Sequence, residues 1–544
     1  MKDNPDDIFT FTSGPHTASC ILIGEAWGHE EAAAKRPFVG MSGKELDRIL
    51  SDAGLNRQDI LCTNVVSEQP PANEFTHFLA PNEVKDGFTW LHGLKAKPAL
   101  VAGHRHLLTL IDRVKPKLLI AAGSVPLWAL SDHATISTKS GYKLPGGITT
   151  WRGSQTYSKE ISGTRYPLLP IIHPAFILRD WSARSPTVHD LKSRAARFLN
   201  GTISWDNLSR TFTMHKPNWQ QIEHRLSSWY QQAMVGKLKL AVDIETYKRK
   251  WISVVGLADA NIEMAVPLFY VDRKPDGSEI TKNYLTLGQE QVFWELLKQL
   301  LEHPNTQICG QNFIYDTEWF HRYYNITALA TFDTMVAHHL LYPGTPKRLD
   351  YLASLYCNHY IYWKDESQDW DNFPEDAERY WRYNCKDIRA TYECWGVLEK
   401  VLKSEGMSEL YDYQMQQWSL SRDLCLRGIA FNHKLQAQFR LELFTRANEL
   451  SQWLLGAVPK TWQYTSTGKP WYDSPKGTAD LFYKCCGLRA ELHKDTKQPT
   501  TNDMALQALS DRPDARHLSP IFSRLRELRS IGVFISHFLD ARPR

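Results

Sequence analysis

A run of alternating apolar residues that carries two acids, "LKLAVDIET" at 238–246, constrains the fold of this chain more than any other stretch. Successive side chains of a strand point to opposite faces, so Asp243 and Glu245 share one face while Leu240, Val242 and Ile244 occupy the other. The stretches "ISVVGLADA" and "IEMAVPL" follow at tight spacing and predict an antiparallel meander, with helices through about residue 400. Two further acids stand in distinctive surroundings. "ICGQNFIYDTEWF" places Asp316 four residues after Asn312, at the start of a predicted helix. "YWRYNCKDIRATYECW" places Tyr383 and Asp387 at i and i+4, on one helical face. Taken singly, each acid reads as a solvated surface group. Four carboxylates that converge cannot all stay ionised without a compensating cation. Two divalent ions, Mg²⁺ or Mn²⁺, with oxygen ligands and a substrate phosphate, are the usual answer.

The rest of the chain sets bounds. Its 544 residues exceed one ordinary core and predict several domains. The net charge of +4 permits nucleic-acid binding through local patches without arguing for it. The nine cysteines form no C-x-x-C pair, which predicts reduced thiols in a cytoplasmic protein and gives no support to a zinc or iron–sulfur site. The start, "MKDNPDDIFTFTSG", lacks the apolar core of a signal peptide, and no apolar run is long enough to span a bilayer, so no membrane partner is expected.

Three segments differ in texture and predict a multidomain α/β protein: 1–205, 206–405 and 406–544. In the first, "SCILIG", "DILCTNVV", "KLLIAAG" and "LLPIIHP" alternate with helical stretches, the pattern of a mostly parallel sheet. A capping box, Ser42 with Glu45, is expected to open a helix there, and "DLKSRAARFL" to close the segment as a basic helix. Residues 206–235 read as a polar connector containing a helix. From about 406 the chain reads as helical.

The stretches "VDIET", "GQNFIYD" and "YNCKD" resemble the three motifs of the DEDD exonuclease superfamily in its tyrosine-bearing branch. "TFDTMVAHHLLYPG" and "RLDYLASLY" resemble the proofreading domain of family A DNA polymerases, over about 160 residues in the right order. The resemblance implies a ribonuclease H-like fold and 3′→5′ exonuclease activity on single-stranded 3′ ends. It makes Asp243, Glu245, Asp316 and Asp387 metal ligands, Tyr383 the residue that orients the attacking water, and Asn312 a substrate contact.

"SLSRDLCLRGIAFN", "YDSPKGTADLFYKCCGL", "QPTTNDMALQAL" and "FSRLRELRSIGVFISHFL" resemble the start of the thumb of the same polymerases, which grips primer–template DNA. Lys476, Lys494, Lys497 and Arg526 are candidate phosphate contacts. No palm or fingers follow Arg544, so this chain alone is not expected to polymerise, and a separate palm- and fingers-bearing polymerase subunit is the expected partner.

"GEAWGHEEAAAKRPFVG", "CTNVVSEQPPAN" and "IIHPAFILRD" resemble the motifs of a uracil-DNA glycosylase branch, and with "PKLLIAAGS" the match spans most of residues 18–198. It implies an α/β/α fold in which Phe38 stacks on a flipped base and Asn64 bonds its edge. His173 steadies the departing uracil anion, and Glu25 positions or activates water. Trp27 stands at a proline position of that pattern. The branch's four cluster cysteines are missing: Ser67-Glu68 falls where Lys-Cys is expected, and an insertion lengthens 80–105, so no iron–sulfur cluster is expected. The fused arrangement resembles a bacteriophage replication protein, which would act in the host cytoplasm. Three readings follow: a proofreading nuclease with a uracil-binding or uracil-excising module, a non-catalytic uracil sensor for a polymerase, and a stand-alone uracil-repair nuclease.

Overall fold

The apolar stretches of the first segment pair side by side, as their alternation with helices predicts. The computed structural model describes residues 7–206, 212–274, 276–367, 377–494 and 498–540, and the chain forms two compact units, Met1–Arg427 and Gly428–Arg544. In the N-terminal domain the strands are Cys20–Ala26 (β1), Ile60–Val66 (β2), Leu118–Ala122 (β3), Thr156–Tyr157 (β4) and Pro167–Ile171 (β5). Their order is β2-β1-β3-β5-β4, parallel throughout except that β4 runs antiparallel to β5. Ile21, Ile23, Leu61 and Leu119 face the helices Pro98–Val114 (α2) and Ser124–Leu130 (α3). Leu22, Cys62 and Ile120 face the opposite layer, with Leu46, Ile49 and Leu50 of Met41–Asp52 (α1). Burial on both faces is why these strands read as nearly unbroken apolar runs.

One local expectation is corrected. Helix α1 has Gly40 as its N-cap, with no side-chain cap, so Ser42 lies inside the first turn and forms no capping box. Glu45 is buried and accepts from Arg184 Nε at 2.8 Å, a pairing across the chain that takes the carboxylate away from its own helix end. The lengthened stretch 80–105 holds a hairpin, Thr89–Leu91 with Leu94–Ala96, and then enters α2. The closing basic helix runs from Arg184–Asp190 (α4) through a π-helical turn, Leu191–Ala196, to Arg197–Leu199.

The middle domain begins earlier than a connector would allow. Trp219–Val235 (α5) buries Ile222, Leu226, Trp229 and Ala233, and Trp229 Nε1 donates to Asp259 Oδ2 at 2.8 Å. The expected helix is present, but it is one wall of the core rather than part of a connector: spaced apolar residues within a polar stretch are enough for one buried face.

The second sheet is mixed. Its strands are Phe212–Met214 (β6), Leu238–Tyr247 (β7), Trp251–Ala258 (β8), Ile262–Pro267 (β9), Thr306–Gly310 (β10) and Ala330–Asp333 (β11), in the order β6-β9-β8-β7-β10-β11. Strands β7, β8 and β9 form the expected antiparallel meander, and β10 and β11 continue it in parallel beside β7. The helices are Leu287–Leu301 (α6), Ile314–Tyr324 (α7), Thr334–Leu341 (α8), Leu349–Tyr356 (α9), Ala377–Ser404 (α10) and Ser408–Arg427 (α11). Helix α11 stays with this domain: Trp418 enters its core, and Arg322 Nη2 donates to the Cys425 carbonyl at 2.9 Å.

The C-terminal unit is helical as expected, with His433–Gly456 (α12), Asp503–Asp511 (α13) and Ser519–Phe534 (α14) around Leu454, Trp471, Phe482, Leu506 and Phe522. Arg526 is engaged by Asp503 through Nε at 2.7 Å and by Gln507, whereas Lys476 and Lys494 are exposed; Lys497 lies outside the described residues. No helix among the described residues is long and apolar enough to cross a membrane.

Within the first unit, buried arginines join the N-terminal domain to the middle one. Arg152 grips Asp190 with Nε at 2.8 Å and with Nη2, and its Nη1 reaches Ser354 Oγ at 3.0 Å in α9. Arg194, 2% exposed, donates to the carbonyls of Cys357 at 2.8 Å and Asn358 at 3.3 Å, just past the end of α9. Removing one partner of a buried pair strands the other charge, which costs about 3–5 kcal/mol. Arg152→Ala should therefore lower the unfolding free energy of the first unit by that order. A shift under 1 kcal/mol in urea unfolding would show that this buried pair and its bond to Ser354 do not carry that weight.

Candidate functional site

Three of the four predicted acids of the middle segment meet. Asp243 and Glu245 project from one face of β7, as period two requires, and Asp387 comes from α10, which crosses the sheet. One carboxylate oxygen from each lies within 4.8 Å of the others. Gly256, opposite Asp243 in β8, permits this approach: a Cβ there would lie 2.2 Å from Asn384 Oδ1 and 2.7 Å from Ile388 Cγ2. Asn384 Nδ2 then donates to Asp243 Oδ2 at 2.9 Å.

Asp316 sits in the first turn of α7, buried, outside that close group. The Ile244 backbone N–H donates to its Oδ1 at 2.9 Å. Burial first, and then the charge of Asp243, hold the Asp316 carboxyl far above the ordinary range. Burial and the charge of Asp387 push Asp243 up as well. Tyr383 is buried one helical turn before Asp387 on α10. Asn312 is exposed at the end of β10 with φ of 57°, and this turn aims the Asn312 and Phe313 N–H groups at the Asp333 carboxylate, at 3.2 and 2.9 Å.

Lys364 and Trp363 complete the surroundings of Asp387. Lys364 Nζ donates to Asp387 Oδ2 at 2.6 Å and to the Tyr383 hydroxyl oxygen at 2.7 Å, and Trp363 Nε1 donates to Asp387 Oδ1 at 2.5 Å. Burial works against the Lys364 ammonium, but the charges of Asp387, Glu245 and Asp243 outweigh it and raise its pKa. Hard oxygen donors this close suit a divalent ion such as Mg²⁺ or Mn²⁺, so the residues present fit the metal that the sequence implies.

The other predicted residues gather where β1, β2, β3 and β5 end, the edge at which open α/β sheets bind ligands. Gly24 lies opposite Asn64, and a Cβ at Gly24 would come 2.1 Å from Asn64 Oδ1 and 2.7 Å from Phe38 Cζ. Phe38 adopts φ of 56°, its N–H bonded to Glu31, and Glu31 Oε2 also accepts from Gly28 N at 2.6 Å. This one carboxylate closes the loop and sets the Phe38 ring 5.9 Å from the His173 ring, the two planes 29° apart. Asn64 is buried, and its Nδ2 has no partner among the described residues.

Burial lowers His173 to about 4, helped by Arg179. Its Nδ1 accepts from Ala175 N at 3.1 Å, so the neutral ring carries its proton on Nε2. Burial raises Glu25 to about 7, with Arg179 opposing. Trp27 is buried with its ring edge-on to Phe11 at 5.3 Å, and its backbone N–H is bonded to the Glu68 carbonyl at 3.2 Å.

Five residues in these sites escape sequence reasoning: Glu31, Asp333, Trp363, Lys364 and Asn384. Asp333 had a signal, a T-F-D-T step before a helix, which marks an N-cap. Asn384, adjacent to Tyr383 in the third motif, had its position. Lys364 and Trp363 had none, because they enter from a loop.

Two known families match the chain, one over each of the domains that carry these residues. Residues 11–197 match the uracil DNA glycosylase superfamily, and residues 223–403 match a 3′–5′ exonuclease family. The type-4 uracil-DNA glycosylase of Saccharolobus solfataricus is 27% identical over 195 residues, 36% of this chain and 78% of that protein. That of Pyrobaculum aerophilum is 30% identical over 183 residues, 34% of this chain and 78% of that protein. Among solved structures, the POL domain of Pol1 from M. smegmatis, in complex with DNA primer-template and dNTP, aligns with a TM-score of 0.39 and 17% identity. That alignment covers 58% of this chain and 48% of that one, so the chain spans about half the length of the structure. This chain belongs to the uracil-DNA glycosylase superfamily, and it carries a 3′–5′ exonuclease domain behind its glycosylase-like domain.

Proposed function

We propose that the chain hydrolyses DNA from 3′ ends with a divalent metal and that its N-terminal pocket takes a uracil flipped out of the same DNA. The convergence of Asp243, Glu245 and Asp387 beside Tyr383 carries the nuclease half. Asp243, Glu245, Asp316 and Asp387 make up the acidic centre at which Mg²⁺ or Mn²⁺ is bound. When bound, the metal supplies charge that lowers the pKa of water and offsets the developing charge on phosphate. Tyr383 orients the attacking water through its hydroxyl.

In the pocket, Phe38 stacks on the base and the unpartnered Asn64 Nδ2 donates to its edge. The Nε2–H of neutral His173 donates to the uracil oxygen on which negative charge collects as the glycosidic bond breaks. Glu25, as a carboxylate, holds or deprotonates the attacking water. The helical C-terminal unit supports a role in gripping primer–template DNA beside a polymerase chain that supplies palm and fingers. The reader-only alternative draws on Glu25, which burial keeps protonated below about 7 and therefore unable to act as a base there.

DNA labelled at its 5′ end and carrying one uracil tests both halves. Shortening of the label ladder in Mg²⁺ but not in EDTA is expected from the nuclease, and a single alkali-dependent break in EDTA from the glycosylase. Intact DNA under every condition contradicts the catalytic proposal. The pH dependence follows from Glu25. Its folded pKa lies above the ordinary carboxylate value, so the base form is scarce below about 7 and dominant above it. Uracil release should rise about tenfold per pH unit up to about 7 and then level. His173 stays neutral down to about 4 and adds no step in that window. A flat rate from pH 5 to 8 would remove Glu25 as the base.

A further inference from the structure

Lys364 stands inside the acidic centre, yet the N-terminal domain holds its segment in place. Gln155 N donates to the Tyr360 carbonyl at 2.7 Å, and Tyr360 N returns a bond to Gln155 Oε1 at 3.4 Å. Tyr362 N donates to Ser154 Oγ at 3.1 Å, and the Tyr362 ring meets Trp151 edge-on at 5.3 Å. One residue further, Trp363 turns to Asp387 Oδ1, and the next residue, Lys364, reaches Asp387 Oδ2 and the Tyr383 hydroxyl. Residues 360–364 thus form a strap with one end on the glycosylase-like domain and the other on the nuclease centre. Both oxygens of Asp387 have a protein donor. A divalent ion bound to the same carboxylate would sit against an ammonium, and like charges about 3–4 Å apart repel strongly in a partly buried site.

We propose that Lys364 is a built-in cation of the nuclease centre, held on Asp387 by the strap. It takes the place of one of the two divalent ions expected from the sequence. The centre then binds one divalent ion, on the remaining carboxylates, and Lys364 acts as a positioning residue for Asp387 and Tyr383. The N-terminal domain sets the metal content of a site in its neighbour. This inference rests on the exonuclease proposal above and adds to it both the metal count and a dependence on the other domain.

Titrating the full chain with Mn²⁺ and counting bound ions by electron paramagnetic resonance tests it without any activity readout. One ion per chain is expected for the wild type and for Lys364→Arg, and two for Lys364→Met. Ser154→Ala combined with Gln155→Pro, which removes the Gln155 N–H together with both side-chain acceptors, should free the strap and also raise the count above one. Two ions on the wild type, or one on Lys364→Met, would overturn the role of Lys364 while leaving the nuclease proposal standing. A count of one in the Ser154/Gln155 variant would overturn control by the N-terminal domain. No bound Mn²⁺ on the wild type would contradict the nuclease proposal and this inference together.

Discussion

Three carboxylates forced together in a partly buried place govern the middle domain. Asp243, Glu245 and Asp387 repel one another, and each loses hydration, so the surrounding fold has to supply what water would. Strand periodicity sets two of them on one face, and α10 brings the third across a surface that Gly256 leaves flat. Asn384 and Trp363 donate hydrogen bonds, and Lys364 supplies a full positive charge. Lys364 offsets one of the three acids, and the charge that remains suits a hard cation.

The same economy runs between domains. Arg152 satisfies Asp190 within the N-terminal domain and reaches Ser354 in the next one, and Arg194 meets the carbonyls just past the end of α9. The chain continues from α9 into the strap that carries Lys364, so the contacts joining the domains also steady one edge of the nuclease centre. At the far side of the N-terminal domain, Glu31 fixes the loop that presents Phe38, and Gly24 leaves space for Asn64. Each pocket thus depends on one buried carboxylate or glycine that has no chemical part to play.

Much of this architecture is legible in the sequence wherever period or position within a helix decides. Asp243 with Glu245 follows from period two, Tyr383 with Asp387 from i and i+4, and the parallel sheet from apolar runs that end at loops. Lys364 is not legible, because its partner lies 23 residues on and its position depends on main-chain bonds to Ser154 and Gln155, some 200 residues earlier. Glu45 misleads for a related reason: the local pattern matches a capping box, but Arg184, 139 residues away, claims the carboxylate. Helix α5 is legible as a helix, but its polar composition hides its place in the core, although four buried positions suffice to seat it. Local patterns predict local geometry, and long-range charge pairing overrides them.

The polarity of hydrolysis tests the central claim most directly. Single-stranded DNA carrying a label on its 3′-terminal nucleotide should, with Mg²⁺ present, release that label as a mononucleotide in the first turnover, and should release none in EDTA. Label that persists on shortened fragments, or that stays on full-length DNA in Mg²⁺, would contradict a metal-dependent 3′→5′ exonuclease.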